Sequence, residues 1–246
     1  MDVRVEAEFY QDYTKRMTIA KAFVYGAYRN IRQVLKYYHN RGKELGPAIE
    51  RIEEMAENLA ECREVAQLMA VEGHIREQYY QAFDKITNNK DFSFETRTRR
   101  PPQNNLNALI SFGNSLLYTQ VLSEIYKTHL DPRIGFLHAT NFRRFTLNLD
   151  IAEIFKPIIV DRLIFTLIDK KIISKNDFEK HAGGLLLKEK GKKAFVQELD
   201  DKLKTTINHK KIGRTVSYRR LIRLELYKLQ KHLMGEAEYE PFIASW

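Results

Sequence analysis

One short stretch of the chain gathers several side chains that could carry out acid–base or metal chemistry. Residues 137–157 read LHATNFRRFTLNLDIAEIFKP and contain His138, Asp150 and Glu153. Asp150 and Glu153 are three residues apart near the start of a predicted helix, and this spacing places both carboxylates on neighbouring positions of one helix face. His138 lies on the loop that leads into the helix. The stretch therefore offers an imidazole and two carboxylates within a short distance along the chain.

A further acidic residue, Glu72, lies upstream in MAVEGHIREQYY, where an apolar helical pattern meets a Glu-Gly pair. An imidazole and carboxylates that converge from separate helices could hold a divalent cation such as Mg²⁺ or Mn²⁺, with coordination positions left for water and phosphate oxygen. Spacing alone favours a plainer interpretation. A carboxylate in a first helical turn is stabilised by the helix dipole, and a single loop histidine is usually held by hydrogen bonds. No signature such as HExxH joins these residues in sequence.

The composition indicates a folded protein without a membrane span. The chain has 246 residues, 43% of them hydrophobic, which is enough for one large core or two modest ones. No window approaches the roughly 18 consecutive apolar residues that a membrane span needs, and the first residues lack the pattern of a secretory signal. We therefore expect a cytoplasmic protein with no membrane partner. The single cysteine, Cys62, cannot form an internal disulfide and is expected to be a small core or boundary residue.

The positive charge of the chain is unevenly distributed. Lysine and arginine number 41 against 32 acidic residues, which gives a formal net charge of +9. Residues 202–223 contain eight basic residues and no acidic one, and RTRRPP at 97–102 adds three arginines. Such clusters suit a polyanion, because each neutralised phosphate releases condensed counterions. They also suit a solvated basic face that keeps a protein in solution, and charge alone leaves both interpretations open.

Helical periodicity dominates the first half of the chain. Apolar residues at three- and four-residue spacing predict a long helix from about Phe9 to Tyr38, which HNRGKELGP ends. A second helical pattern starts near Ile49 and runs on to VEGHIREQYYQAF, with Gly73 as a candidate interruption. The polar segment 86–105 carries two adjacent prolines and is predicted to be a surface loop. NALISFGNSLLYTQVLSEIYKTH is again predicted to be helical.

The second half begins with the most apolar helix candidate, from Thr146 to about Lys170, in which Pro157 should produce a kink or a break. Shorter pieces follow, including a turn or small hairpin at GGLLLKEKG and a final helix in VSYRRLIRLELYKLQKHL. The tail EAEYEPFIASW is expected to be held by its aromatic residues. The predicted class is all-α: one helical domain over residues 1–246, with a long central helix pair and smaller C-terminal helices.

Three separated blocks of the sequence are specific in combination. They are VEGHIREQYY, RTRRPPQNNLNALISFGNSLLY and LDPRIGFLHATNFRRFTLNLDIAEIFKP, in this order. Together they closely resemble the catalytic helical domain of the CRISPR-associated integrase and endonuclease family that captures new spacers. The resemblance extends over nearly the whole chain, including YRRLIRLELYKL and YEPF near its end. It implies metal-dependent DNA cleavage and transesterification, in which a 3′-hydroxyl of captured DNA attacks a phosphodiester at the repeat boundary.

The resemblance also implies roles for particular residues. Glu72, His138 and Glu153 fall on the metal ligands of the family, and the cofactor is expected to be Mg²⁺ or Mn²⁺. Asp150, in the LDxxE motif, is counted with the catalytic residues as a carboxylate that orients a ligand or the nucleophile. The basic residues expected to contact nucleic acid are Arg97, Arg99, Arg100, Arg143, Arg144, Lys210, Lys211 and Arg219.

The implied partners are double-stranded and branched DNA, a second copy of the chain in a homodimer, and a small CRISPR adaptation protein. Members of the family normally begin with a β-rich domain that contributes to dimerisation and to contact with that small protein. We find no counterpart of this domain here and expect either a truncated polypeptide or a short gene. Two alternatives to an enzyme stay open: a nucleic-acid-binding helical module without catalysis, and a subunit scaffold.

Overall fold

Most of the chain folds into helices, because apolar residues recur at helical spacing over long stretches. The computed structural model describes residues 3–138, 144–209 and 212–245. The prediction of a mostly α-helical fold is confirmed. The helices are α1 (Val3–Gln11), α2 (Tyr13–His39), α3 (Gly46–Glu61), α4 (Val65–Gln81), α5 (Phe83–Thr87), α6 (Asn105–Ile125), α7 (Leu147–Lys156), α8 (Arg162–Asp169), α9 (Glu189–Lys204) and α10 (Tyr218–Leu233). Within the described residues, no helix is both long and apolar enough to cross a membrane.

The first predicted helix is divided in two near its start. The backbone of Asp12 is extended, and its carboxylate accepts a hydrogen bond from the N–H of Lys15 at 3.0 Å. This cap starts α2, so α1 is a separate helix and the predicted start near Phe9 was wrong. The buried face of α2 extends from Met17 to Leu35.

The second predicted helical pattern is also two helices, α3 and α4. Its interruption lies at residues 62–64 and not at Gly73, which is helical within α4. The side chain of Gln67 accepts the N–H groups of Arg63 and Glu64, at 2.8 and 3.2 Å, and so closes the start of α4. Cys62, at the break, is buried as expected.

Helix α7 is the centre of the fold. All its residues, Leu147–Lys156, are buried, and it packs between α2 and α6. The helical path continues through a π-helical turn, Pro157–Asp161, into α8. Proline has no N–H to donate to the preceding turn, so a regular α-helix is interrupted at this position. The predicted irregularity at Pro157 is confirmed.

Two small antiparallel hairpins interrupt the C-terminal helices. Strands β1 (Phe178–His181) and β2 (Gly184–Leu187) pair with Phe178 opposite Leu187, which confirms the predicted small hairpin. Strands β3 (Thr206–His209) and β4 (Arg214–Ser217) pair with Thr206 opposite Ser217. The second hairpin was not predicted, because residues 202–223 were interpreted only by their positive charge.

The tail after α10 packs beside α7. Phe242 stacks on Phe155 with ring centroids 6.2 Å apart. The amide of Asn30, on α2, donates to the carbonyls of Ile154 and Phe242 at 2.9 Å each and accepts the N–H of Ala244 at 2.8 Å. One buried side chain thus joins α2, α7 and the tail, and the expected anchoring of the tail is confirmed.

We expect Asn30→Ala to destabilise the protein by about 3 kcal/mol, because it leaves buried carbonyl and N–H groups without partners. Urea unfolding followed by circular dichroism measures the loss. Asn58→Ala, at an exposed position on α3, serves as the control and should change stability by less than about 0.5 kcal/mol. An Asn30→Ala protein as stable as the control would contradict this role.

Asp161 ends the π-helical turn and is fully buried. Burial raises the pKa of this carboxyl group to about 7. Its pKa in the unfolded chain is near 4, so the folded protein holds a proton at intermediate pH that the unfolded chain releases. The contribution of Asp161 to stability is therefore complete at low pH and is lost as the pH rises through 7.

Asp161→Asn should remove this pH dependence. We expect the variant to match the parent protein near pH 4 and to gain stability over it between pH 4 and 7, reaching on the order of 3 kcal/mol at pH 8. Thermal unfolding of both proteins across this range provides the measurement. A stability difference that stays constant with pH would show that the carboxyl group titrates normally.

Candidate metal and nucleic-acid site

A cavity of about 1000 Å³ opens between α4, α6 and α7. Three separated elements each contribute one of the predicted metal ligands to its wall: α4 contributes Glu72, the loop before α7 contributes His138, and α7 contributes Glu153. The fold thus brings Glu72 to the same cavity as His138 and Glu153, from which it is distant in sequence.

A buried arginine connects the two carboxylates. Arg76 lies one helical turn after Glu72, and its Nε donates to Glu72 Oε1 at 2.6 Å. Its Nη2 donates to Glu153 Oε2 at 2.7 Å. The side chains of Arg76 and Glu153 are 6% exposed, and that of Glu72 is 20% exposed. The guanidinium therefore lies between the two carboxylates at the wall of the cavity.

Glu153 is ionised in this environment. Its second oxygen, Oε1, accepts a hydrogen bond from the ammonium of Lys156, one turn along α7. Burial by itself would raise the pKa of Glu153, but the charges of Lys156 and Arg76 outweigh it and hold the pKa at about 2. Two cations thus keep a buried carboxylate negative.

Asp150 shapes the loop that carries His138. Its Oδ2 accepts the N–H groups of Phe136 and Leu137, at 2.6 and 2.9 Å. Its Oδ1 accepts the N–H of His138 at 2.9 Å and lies 2.7 Å from His138 Nδ1. Asp150 is fully buried, so it holds the loop from behind. A Cβ at Gly135 would lie 2.9 Å from Asp150 Oδ2, which explains the glycine at this position.

The contact with Asp150 also orients the imidazole ring. With Nδ1 directed at this carboxylate, Nε2 is the nitrogen left for a ligand, an arrangement common among metal-binding histidines. Burial by itself would lower the pKa of His138, but the hydrogen bond and the charge of Asp150 outweigh it and raise the pKa. Asp150 therefore positions the loop and the ring of His138.

Two carboxylates and an imidazole nitrogen form a donor set that suits Mg²⁺ or Mn²⁺. In residues 3–138, 144–209 and 212–245, no three histidine, cysteine or carboxylate side chains lie close enough together to enclose a metal ion. A guanidinium already lies between Glu72 and Glu153. The space between these carboxylates thus accommodates a positive charge, and the residues fit a cation in both charge and donor type.

The remainder of the cavity wall is strongly basic. Six cationic side chains line it against two carboxylates, Glu72 and Glu153. They are Arg76, Arg97, Arg99, Arg100, Arg144 and Lys156. An excess of positive charge in a concave site attracts a polyanion.

The predicted nucleic-acid residues differ in their surroundings. Arg97 precedes α6 in the chain, and its side chain is hydrogen-bonded to this helix. It donates to Asn107 Oδ1 at 2.9 Å and to Ser111 Oγ at 3.0 Å. Arg99, Arg100 and Arg144 are exposed at the cavity.

Of the other predicted nucleic-acid residues, the structure describes only Arg219. Arg219 donates to Asp200 at 2.8 Å and is absent from the described wall. Arg143, Lys210 and Lys211 lie outside the described residues, and their predicted contacts stay predictions.

Arg76 and Lys156 were not predicted as site residues, although the sequence carries a signal for both. Arg76 is four residues after Glu72, and Lys156 is three residues after Glu153. Oppositely charged residues at these spacings are neighbours on a helix. The spacing does not reveal that Arg76 also reaches Glu153 on another helix, which depends on how α4 and α7 pack.

Comparison with known proteins agrees with the geometry. Residues 3–201 match the family model for the CRISPR associated protein Cas1. A CRISPR-associated endonuclease Cas1 of Thermodesulfovibrio yellowstonii is 61% identical over 98% of this chain and 73% of its own length. The structure of a Cas1 protein from Thermotoga maritima is 46% identical, covers 95% of this chain and 70% of its own, and superposes with a TM-score of 0.87.

More distant structures share the fold. A casposase bound to an integration product has a TM-score of 0.88 at 24% identity, over 98% of this chain and 67% of its own. A chain of a partial Cas6-RT-Cas1–Cas2 complex has a TM-score of 0.86 at 19% identity, over 98% of this chain and 73% of its own. The family model, the close relatives and the shared fold lead to one conclusion: the chain belongs to the Cas1 family of CRISPR-associated proteins.

Proposed function

We propose that this chain is a divalent-metal-dependent DNA endonuclease and integrase that cleaves DNA and joins new spacer DNA into a CRISPR array by transesterification. One observation carries the proposal. Glu72, His138 and Glu153, from three separate elements, line a single cavity whose remaining charged residues are cationic. The 61% identical relative that is named an endonuclease supports the same activity.

In the proposed reaction, Glu72, His138 and Glu153 hold Mg²⁺ or Mn²⁺. When bound, such a cation polarises a phosphate and lowers the pKa of a bound water or hydroxyl group. Asp150 keeps the loop in place and directs His138 Nε2 toward the ligand position. No covalent nucleophile from the protein is needed, because the attacking group is water or a DNA 3′-hydroxyl.

The exposed arginines at the cavity would hold the DNA strand. Arg144 is next to the loop of His138, and Arg99 and Arg100 lie on the segment before α6. A guanidinium binds phosphate through paired hydrogen bonds, which fix the strand without reading its sequence. We expect Arg144 to hold a phosphate that flanks the reacting one.

Double-stranded and branched DNA are the proposed substrates. A casposase that shares this fold is bound to an integration product, which supports this proposal. A homodimer and a small Cas2-type protein are the proposed partners, and a fold neighbour occurs in a complex with Cas2. A binding module without catalysis and a scaffold are the competing functions.

Substitution of a proposed metal-ligating residue should reduce DNA cleavage much more than DNA binding. We expect Glu72→Gln and His138→Asn to reduce Mn²⁺-dependent nicking of branched DNA at least about 100-fold, while affinity for the DNA changes by less than about 3-fold. Gel assays measure nicking and fluorescence anisotropy measures binding. Glu57→Gln, at an exposed position on α3, is the control and should retain full activity.

Two results would contradict the enzyme proposal. Parent protein that binds DNA but shows no metal-dependent turnover would favour a binding module. Variants that keep full nicking would exclude Glu72 and His138 as ligands.

The salt dependence of DNA affinity tests whether Arg99 and Arg100, at the cavity, contact phosphate groups. The slope of log affinity against log salt should fall by about 2 in an Arg99→Ala/Arg100→Ala variant, because each lost phosphate contact removes about one released counterion. Arg51→Ala, at an exposed position on α3, should leave the slope unchanged. A nearly flat plot for the parent protein would remove the case for phosphate contacts and favour the scaffold.

A further inference from the structure

The segment that carries Arg99 and Arg100 is a closed loop. Residues 98–103, here called the arginine loop, begin and end at a hydrogen bond in which the N–H of Gln103 donates to Thr98 Oγ1 at 2.9 Å. Arg99 and Arg100 lie between these two residues and are exposed at the cavity. Their side chains form no hydrogen bond or ion pair with any residue that the structure describes. Both guanidinium groups are therefore available to an external anion.

Helix α6 holds the start of the arginine loop. Asn107 is fully buried on this helix. Its side chain accepts the N–H of Thr98 at 3.3 Å and donates to the carbonyl of Thr96 at 2.8 Å. These hydrogen bonds fix the backbone on the side of the loop that precedes the two arginines.

The β1–β2 hairpin holds the end of the arginine loop. The N–H of Leu185, on β2, donates to the carbonyl of Pro102 at 2.8 Å. The side-chain amide of Gln103 donates to the carbonyl of Gly183, in the turn of the hairpin, at 3.1 Å. The two arginines thus lie between one attachment to α6 and another to the hairpin.

The hairpin is itself fixed to the body of the protein. At its base, the ring of Phe178 packs edge-to-face against Phe92, with ring centroids 5.9 Å apart. Leu187, opposite Phe178 in the hairpin, is buried. The N–H of Lys188, directly after β2, donates to the carbonyl of Asp177 at 2.7 Å. Because its base is fixed, the hairpin can hold the arginine loop in one position.

Gly184 allows the hairpin and the loop to approach closely. This residue is buried on β2, opposite His181. A Cβ at position 184 would overlap the ring of Pro101 and would lie 2.7 Å from the carbonyl oxygen of Pro102. A proline ring and a backbone carbonyl cannot rotate away as a flexible side chain does. Any side chain at this position would therefore push the arginine loop away from the hairpin.

We propose that the β1–β2 hairpin is a positioning element for DNA binding, which holds Arg99 and Arg100 at the cavity so that both contact phosphate groups. This inference rests on the proposed function, since the anion is the DNA strand of that function. A loop that is fixed before binding lowers the entropic cost of ordering its side chains on the ligand. Gly184 and Gln103 are positioning residues, because they act through the two arginines.

Gly184→Ala should weaken DNA binding, because it displaces the arginine loop. We expect affinity at about 0.1 M salt to fall at least about 5-fold, and the slope of log affinity against log salt to fall by at least about 1, since each lost phosphate contact removes about one released counterion. Gly184 and alanine are both uncharged. A change in slope can therefore arise only through the charged residues that Gly184 positions.

Gln103→Ala should act in the same direction with a smaller effect. It removes one neutral hydrogen bond between the loop and the hairpin, and we expect affinity to fall about 2-fold. Gln197→Ala is the matched control, because Gln197 is also exposed and its amide also donates one hydrogen bond, to Asp201 at 3.0 Å. The control should bind DNA as the parent does.

The experiment is fluorescence anisotropy of the full chain with labelled branched DNA, without divalent metal and over a range of salt concentrations. Gly184→Ala is measured in the parent protein and in the Arg99→Ala/Arg100→Ala variant. Gly46→Ala, at the start of α3, is its matched control, because a Cβ there would lie 3.8 Å from the nearest side chain. Circular dichroism verifies that each variant folds. If Gly184→Ala does not fold, the contrast between Gln103→Ala and Gln197→Ala still tests the proposal.

The double-variant background identifies how Gly184 acts. In the Arg99→Ala/Arg100→Ala protein, Gly184→Ala should cause no further loss of affinity, because the residues that it positions are gone. An equal loss in both backgrounds would overturn the inference, since a merely structural role of Gly184 does not depend on these arginines.

The remaining results separate this inference from the function on which it rests. Parent protein that does not bind DNA, or whose affinity hardly depends on salt, would contradict the proposed function itself. A slope that falls on substitution of the two arginines but not in Gly184→Ala would leave that function intact and overturn the role of the hairpin.

Discussion

Charge compensation between α4 and α7 is the constraint on which the cavity depends. Glu153 lies in a helix without an exposed residue, where an unpaired carboxylate would be costly to bury. Arg76 reaches it from the neighbouring helix and Lys156 from the following turn of its own helix. Breaking a buried ion pair by removing one partner typically costs about 3–5 kcal/mol, because the remaining charge is left without compensation. The ion pair between Arg76 and Glu153 therefore joins α4 to α7 at the wall of the cavity.

The same physical logic explains why buried polar residues surround α7. Asp150, at its start, accepts three backbone N–H groups and so determines the path of the loop before it. Asn30 binds the carbonyl of Ile154 from the opposite side of the helix and ties it to the C-terminal tail. Each of these polar groups is satisfied by a partner distant in sequence. The hydrogen bonds of Asp150 and Asn30 thus form together in one arrangement of the helices. That arrangement brings His138 and Glu153 to the same cavity.

The arrangement combines features that are unfavourable for stability. Nη1 of Arg76 is buried without a partner in the described residues, and Asp161 is buried at the end of the π-helical turn, where it faces the hydroxyl group of Tyr79. Unsatisfied buried groups and π turns are often found where a protein changes shape or binds a ligand. In this chain Arg76 contacts the two carboxylates that the function would need.

Much of this protein could be predicted from its sequence, because helical periodicity is a local signal. The positions of α6, α8 and α10, the irregularity at Pro157 and the hairpin near Gly184 follow from spacing, proline and glycine. The blocks around Glu72, His138 and Glu153 were sufficient to indicate the family. The break at Asp12 was not predicted and the break near Glu64 was predicted at Gly73, because a capping side chain competes with helix propagation by only a small free energy.

The tertiary structure decided how the charged residues are paired. The sequence determined the helical class, the basic character and which residues could act together. It did not determine that Arg76 lies between Glu72 and Glu153, that Asp150 faces away from the cavity, or that Asp161 is buried. These facts depend on contacts between residues as far as 77 positions apart. Such pairings arise only when packed helices exclude water and force each buried charge to find a neighbour.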